Sequence, residues 1–464
     1  MKGASTTTGA GAGYMSSWRC SHSTVPCYDR RLNEEDRKPL QGGGDATSKM
    51  WGSPRRAALD VLMIGWGLGT WLGVNGLYVQ LPLLVQRLPE GWALPASMVV
   101  AVQLANIGLL LFALLKRLRP RAAESQYIYG LLVIGTLALL LNAFLYPRTV
   151  LIGSTDRSLA FLTLTFFAAL VGCTSSVLFY PYLRHFRDVY LVTYLIGEGL
   201  SGFLPSIIAL AQGVGGEPTC VLGPDDSVHQ VDPDPRFGIT VFLLALTVLS
   251  AISLFSFTAI DRWKRFDSER VMPAVANKDE EATALRESLL SPRWLGVLVL
   301  MAVLNAFANG VLPSVQSYSC MPYGTQAYHL AVTLGAMANP AACMAGVWLQ
   351  PMPAKALAAI LALNLGPLTY ILATALLSPT PPLQHSALGV TLIVVSWVIV
   401  SAVVSYSRMW VYVWARVGGA RGMRAVGVVT QIGSSLGSLL LFFLVNYTGL
   451  FTQYEVCMAP VHSN

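Results

Sequence analysis

The sequence predicts an all-α, polytopic membrane bundle of eleven transmembrane helices in two lobes, six and five. Three observations carry that expectation. Only 12% of the 464 residues are charged, about half the ~25% usual in soluble domains. Hydrophobic residues reach 54% and the mean hydropathy is +0.55, an apolar surplus that one soluble core and its polar coat cannot absorb. The charges are also clustered, and between the clusters lie apolar runs of about 20 residues, the length that crosses a ~30 Å hydrocarbon core at ~1.5 Å per residue. An ordinary soluble enzyme is excluded, and so is a chain dominated by disorder, which requires low hydrophobicity and high charge.

The runs lie at 59–81, 94–115, 127–146, 159–183, 189–211, 237–260, 294–312, 327–349, 356–377, 387–407 and 425–445. In lipid every backbone N–H and C=O must be satisfied within the segment, so runs of this length form helices. With the N-terminus inside, the cytoplasmic loops hold eighteen Lys and Arg, against Arg87, Arg148, Arg157 and Arg236 outside. Cytoplasmic loops retain positive charge, which selects this orientation and places the C-terminus outside. The expected organisation is a disordered cytoplasmic tail at 1–58, spans at 59–260, a cytoplasmic linker at 261–293, spans at 294–445 and an outer tail at 446–464. No short apolar stretch follows Met1, so span one is expected to target the chain to the membrane itself.

Asn446-Tyr447-Thr448 is an N-glycosylation acceptor pattern on the expected outer side. Cys220, Cys320 and Cys457 also fall there, where disulfides persist. Cys220 with Cys320 is the first pairing considered, and Cys457 with either is the alternative. The remaining cysteines and the scattered histidines make no metal-ligand spacing, so no metal is expected. No HExxH, GxSxG or Walker A pattern occurs. A non-enzymatic protein without a cofactor or nucleic-acid partner is expected, monomeric in the bilayer, and any transport would be facilitative or ion-coupled.

Polar residues inside the spans are costly unless they serve a purpose. None of the eleven runs contains Lys or Arg, and Glu198 is the central acid. A phosphate or carboxylate site would be built with cations, so a neutral or weakly charged solute is favoured, with anion capture by helix N-termini as the alternative. In span one Gly65, Gly69 and Gly73 form a close-packing stripe. On a continuous helix Trp71, Asn75 and Tyr78 fall on the other side. A stacking ring, an amide and a phenol on one face suit either a planar heteroaromatic ligand or an aromatic packing face. Gln103 and Asn106 share a face of span two, and Asn305 and Asn309 share one of span seven. These amides could recognise a neutral ligand or bond helix to helix. Glu198, with Tyr194 four residues before it and Ser201 three after, reads as a substrate acceptor, a proton carrier or a structural carboxyl. His329 and Thr333 open span eight, and Asn339-Pro340 interrupts it. Glu198 and His329 are therefore the candidate pH-linked groups.

Several strings resemble the eukaryotic riboflavin transporter family: VNGLYVQLPLL (74–84), LPEGWALP (88–95), VQLANIG (102–108), GEGLSGFLPSIIALAQG (197–213) and NGVLPSVQSYSC (309–320). The resemblance runs from about 59 to 445. It implies an eleven-span plasma-membrane carrier, related in architecture to equilibrative nucleoside transporters, that takes up riboflavin without ATP hydrolysis. Riboflavin fits the residue-level reading, being flat, rich in donors and acceptors, and uncharged near pH 7. The candidate substrate residues are Trp71, Asn75, Tyr78, Gln103, Asn106, Tyr194, Glu198, Asn305, Asn309, Gln316 and Thr333. The chain departs from the resemblance in its long tail and at Gln80, where family members carry Glu. A carrier of another neutral heteroaromatic solute such as a nucleoside, and a multi-span receptor signalling through 261–293, are the rival functions.

Overall fold

Apolar runs that must satisfy their own backbone become helices, and the computed structural model is built almost wholly of them. It describes residues 56–183, 185–187, 189–214, 219–222, 228–231, 234–270, 292–348, 353–416 and 419–453. Most of the expected tail at 1–58, most of the linker at 261–293 and residues 454–464, including Cys457, lie outside the described residues. The helices of the first half are α1 (Ala57–Leu68), α2 (Leu72–Val79), α3 (Leu81–Arg87), α4 (Leu94–Leu104), α5 (Ile107–Leu118), α6 (Glu124–Leu145), α7 (Leu159–Leu183), α8 (Val189–Gln212) and α9 (Ile239–Arg262). Those of the second half are α10 (Pro292–Ala306), α11 (Leu312–Cys320), α12 (Thr325–Trp348), α13 (Ala354–Leu376), α14 (Ala387–Arg416) and α15 (Gly419–Tyr447).

Among the described residues eight helical segments are long and apolar enough to cross a membrane, or up to ten if each of two bent pairs counts as one span. The expected eleven is therefore not reached by that measure. The expectation of an all-α chain needs amendment too, because two short hairpins cap the loops: β1 (Val150–Ile152) with β2 (Thr155–Arg157), and β3 (Thr219–Leu222) with β4 (Val228–Val231). The first turns through Gly153 at φ +66°, a left-handed conformation that glycine adopts without a Cβ penalty.

Three expected spans are interrupted, and at each interruption a hydroxyl or thiol from another helix lies against a carbonyl at the break. Span one bends by 55° between α1 and α2. There the Thr70 N–H bonds Gly67 O rather than Trp66 O, and Ser253 Oγ of α9 donates to the Trp66 carbonyl at 2.7 Å. Span two tightens into i→i+3 bonds between α4 and α5, with Asn106 N–H on Gln103 O at 3.1 Å. Cys173 Sγ of α7 lies 3.7 Å from the Val102 carbonyl. Span seven passes through a π-helical turn, Phe307–Val311, between α10 and α11. Residue 313 is proline and cannot donate to Asn309 O. Ser438 Oγ of α15 lies 3.2 Å from that carbonyl while donating to the Ser434 carbonyl of its own helix at 2.6 Å. Non-helical backbone at membrane depth is tolerated only where protein or a lined cavity satisfies it in this way.

Small residues set the closest crossings. A Cβ at Gly65 or Gly69 would overlap Ser256 or Ser253 of α9, and one at Gly73 would press on Ala168 of α7. Gly67 faces the Tyr194 carbonyl and Gly197 faces the Ile64 carbonyl, so α1 and α8 meet backbone to backbone. Gly433 and Gly437 of α15 do the same against Ala302 and Ala306 of α10. Within the first half α1 packs on α8 and α9, and α6 on α7 and α9. Within the second, α10 packs on α15 and α12 on α14. The halves meet where α8 touches α12 and where α4 touches α11 and α15.

Candidate functional site

The three interruptions carry the amides and rings that the sequence singles out. Trp71 stands in the α1–α2 break with non-helical φ −114° and ψ 6°, and its ring lies against Gly172 of α7, where a Cβ would overlap it. Its indole N–H donates to the Glu198 carboxylate. Tyr180 OH of α7 donates to Oε2 of the same carboxylate at 3.0 Å. Glu198 is thus the meeting point of the break, α7 and α8. Asn75 Nδ2 lies 3.4 Å from Ser201 Oγ and beside Gly202. Trp71 and Tyr78 both flank an apolar cluster of Val74, Val102, Ala105, Ala169, Leu170 and Cys173, which joins the first break to the second.

Tyr194 belongs elsewhere. It is fully buried, its ring 4.9 Å from Trp66 and its hydroxyl 3.1 Å from Thr70 Oγ1. Tyr194 braces the break from behind, and in this conformation it is closed to a ligand. The one-face reading of Trp71, Asn75 and Tyr78 also assumed an unbroken helix. The bend replaces that arrangement by one in which Trp71 turns to Glu198.

At the second break Asn106 Nδ2 donates to Gln103 Oε1 at 3.1 Å, while Asn106 Oδ1 is buried with no protein partner. At the third, Asn309 Nδ2 donates to Ser434 Oγ at 3.0 Å and to Asn305 Oδ1 at 3.3 Å. Asn305 is fully buried and donates back to the Met301 carbonyl at 2.8 Å, so it secures the turn. Gln316 is buried on α11. Thr333 is buried and its hydroxyl donates to the His329 carbonyl at 2.7 Å, a bond within its own helix. His329 donates a ring N–H to the Ala209 carbonyl of α8, and its Nε2 is buried without a protein partner. It lies in the contact between the two halves, not open to the outer solution.

Two outer-side expectations meet the structure as follows. Cys320 is a free thiol and fully buried; the Cys220 side chain and Cys457 lie outside the described residues. Asn446 sits in the last turn of α15 with its amide on the Phe442 carbonyl at 3.0 Å.

Sequence reasoning missed Tyr180, Ser434 and Ser438, and the pair in which Gln80 Nε2 donates to Gln212 Oε1 at 2.6 Å. The serines had a signal in Gly433-Ser434-Ser435-Leu436-Gly437-Ser438, where small residues recur every four positions. Tyr180 had none, since one phenol in an apolar run reads as packing.

The arrangement offers neutral donors and acceptors, aromatic faces and one carboxylate, held at interruptions in the spans. Discontinuous helices of this kind are where transporters bind solutes. Two solved transporters share the fold: the nucleoside transporter NupG, with TM-score 0.50, 12% identity, and 83% of this chain and 89% of that one covered, and an inward-facing, unoccupied bacterial homologue of the human lysosomal transporter Spinster, with TM-score 0.50, 13% identity and 83% and 82% covered. Among curated proteins the chain is 36% identical to riboflavin transporter 2 of Salmo salar over 448 residues, covering 86% of this chain and 97% of that protein. It is 35% identical to member 2 of the human solute carrier family 52 riboflavin transporters over 442 residues, covering 89% and 99%. It is likewise 35% identical to human member 3 over 460 residues, covering 86% and 98%. Residues 55–453 match the profile described as solute carrier family 52, riboflavin transporter, and this multi-pass membrane protein belongs to that family.

Proposed function

We propose that this chain is a plasma-membrane riboflavin carrier, taking up the vitamin by alternating access without ATP hydrolysis. The observation that carries the reading is likeness along the whole length of the membrane-embedded chain to riboflavin transporters. The site chemistry agrees with it. Aromatic faces suit a planar tricyclic ring, the amides at the breaks suit its polar edge and ribityl hydroxyls, and the cation-free spans suit a neutral solute and disfavour its phosphorylated forms.

In this account the chain crosses the membrane eleven times, in lobes of six and five, with the N-terminus inside. The broken α1–α2, α4–α5 and α10–α11 pairs, α7 with its 42° bend, and α12 each make one crossing. Ligand contacts fall to Trp71, Asn75, Tyr78, Gln103, Asn106 and Asn309, with Glu198 orienting Trp71 and serving as the pH-linked group. At the outer end Ser317 Oγ donates to the Trp92 carbonyl at 2.6 Å, and Gln86 Nε2 donates to Thr325 Oγ1 at 2.7 Å. These bonds between the halves must part for substrate to enter from outside.

Cells expressing the chain should accumulate labelled riboflavin above vector controls, with inhibition by excess lumiflavin and little effect of FMN or nucleosides. Inhibition by nucleosides in place of lumiflavin would make it a nucleoside carrier. Surface protein without uptake would favour the receptor.

A further inference from the structure

Cations on the cytoplasmic face differ in whether the protein neutralises them. Arg56 and Arg187 reach Glu269 at 3.6 and 3.0 Å, Arg262 reaches Asp261 at 3.8 Å and Arg270 reaches Asp267 at 3.5 Å. Among the described residues Lys264, Arg265, Arg293, Lys355 and Arg408 form no ion pair either, but the turn between α5 and α6 is where such cations are densest. Lys116 and Arg117 close the last turn of α5, Arg119 and Arg121 follow within four residues, and among the described residues none of the four forms an ion pair. Lys116 Nζ donates to the Ala122 carbonyl at 3.3 Å, closing the turn. Glu124, the nearest acid in sequence, begins α6, where the helix N-terminus favours it.

A shallow recess of about 500 Å³ is lined by Arg119, Pro120, Arg121 and Ala122. Leading to it along α5 is a line of leucines at i, i+4 and i+8: Leu110, Leu114 and Leu118 are 72%, 53% and 67% exposed. An apolar stripe that ends in unneutralised guanidinium groups at the membrane surface has the chemistry of one occupant, an acidic lipid. Basic clusters immediately cytoplasmic of a spanning helix attract such headgroups, and Arg matches phosphate oxygens bidentately.

We propose that the α5–α6 turn is a binding site for an anionic phospholipid of the inner leaflet, its phosphates held by Arg119 and Arg121 and an acyl chain laid along Leu110, Leu114 and Leu118. The site rests on the cytoplasmic placement of this turn and lies apart from the transport pathway.

The test is native mass spectrometry of the purified full-length chain with phosphatidylinositol bisphosphate, phosphatidylcholine as the neutral control and soluble inositol trisphosphate as competitor. Wild type should hold the acidic lipid in preference to phosphatidylcholine. Arg119→Gln with Arg121→Gln should lower its retention roughly tenfold to thirtyfold, while Lys116 and Arg117 preserve the orientation signal. Arg121→Gln alone, at an exposed position, should lower it roughly fivefold, which covers a double variant that fails to fold. Lys264→Gln with Arg265→Gln, removing equal charge from another cytoplasmic segment, should retain lipid as wild type does. Unchanged retention in the Arg119 and Arg121 variants, or equal loss in both double variants, would overturn the site. Displacement by equimolar inositol trisphosphate would reassign it to a free phosphate ligand.

Discussion

Substituting Glu198 by alanine is expected to lower riboflavin uptake at least about tenfold at normal surface levels, whereas glutamine at the same position should transport within about threefold of wild type. The carboxylate accepts from Tyr180 OH at 3.0 Å and from the Trp71 indole. Alanine removes the acceptor that Tyr180 OH and the Trp71 indole share, at about 1–3 kcal/mol for each bond lost, and frees Trp71 from the break where it is positioned. A cost above about 1.4 kcal/mol is a factor of ten. Glutamine fits because its oxygen accepts from the indole, which can only donate, and its amide donates to the tyrosine oxygen, which can accept. The pair also tests titration. If Glu198 is the pH-linked group, wild-type uptake varies between about pH 5.5 and 8 and Glu198→Gln flattens the profile. A glutamine variant with the wild-type profile would remove Glu198 from that role.

The second large effect is expected from a single methyl group. Gly197→Ala should lower the yield of folded, surface-exposed protein about tenfold, and Gly199→Ala, two residues on, should leave it near wild type. At Gly197 the new Cβ would overlap the Ile64 carbonyl of α1, which is backbone and cannot swing aside. At Gly199 it would meet Pro340 Cβ at 3.6 Å, an ordinary contact. Overpacking costs about 1–3 kcal/mol even against movable side chains. Here α1 and α8 must separate, and the brace of Tyr194 on Thr70 separates with them. Gel filtration of both variants expressed side by side checks this; equal yields would mean that the crossing is looser than the structure shows.

What was legible in the sequence follows from what is local. Charge spacing located the apolar segments, and the recurrence of Gly65, Gly69 and Gly73 announced a close approach that the serines of α9 fill. The amide pairs at 103/106 and 305/309 fall at interruptions in their spans. What was not legible depends on partners distant in sequence. At the break the Trp66 carbonyl is bonded by Ser253, 187 residues away, so a continuous helix was the natural reading and the face assigned to Trp71 shifted with it. Tyr194 and Thr333 had the right spacing for a site but spend their hydroxyls on Thr70 and the His329 carbonyl. Cys320, placed outside by the span boundaries, is sealed within the bundle.

The most direct test of the central claim is counterflow of labelled riboflavin into proteoliposomes holding only the purified chain. With unlabelled riboflavin inside and no ATP, the account predicts transient accumulation of label, blocked by external lumiflavin and reduced about tenfold by Glu198→Ala. Label no higher than in empty liposomes, with correctly folded protein present, would contradict it.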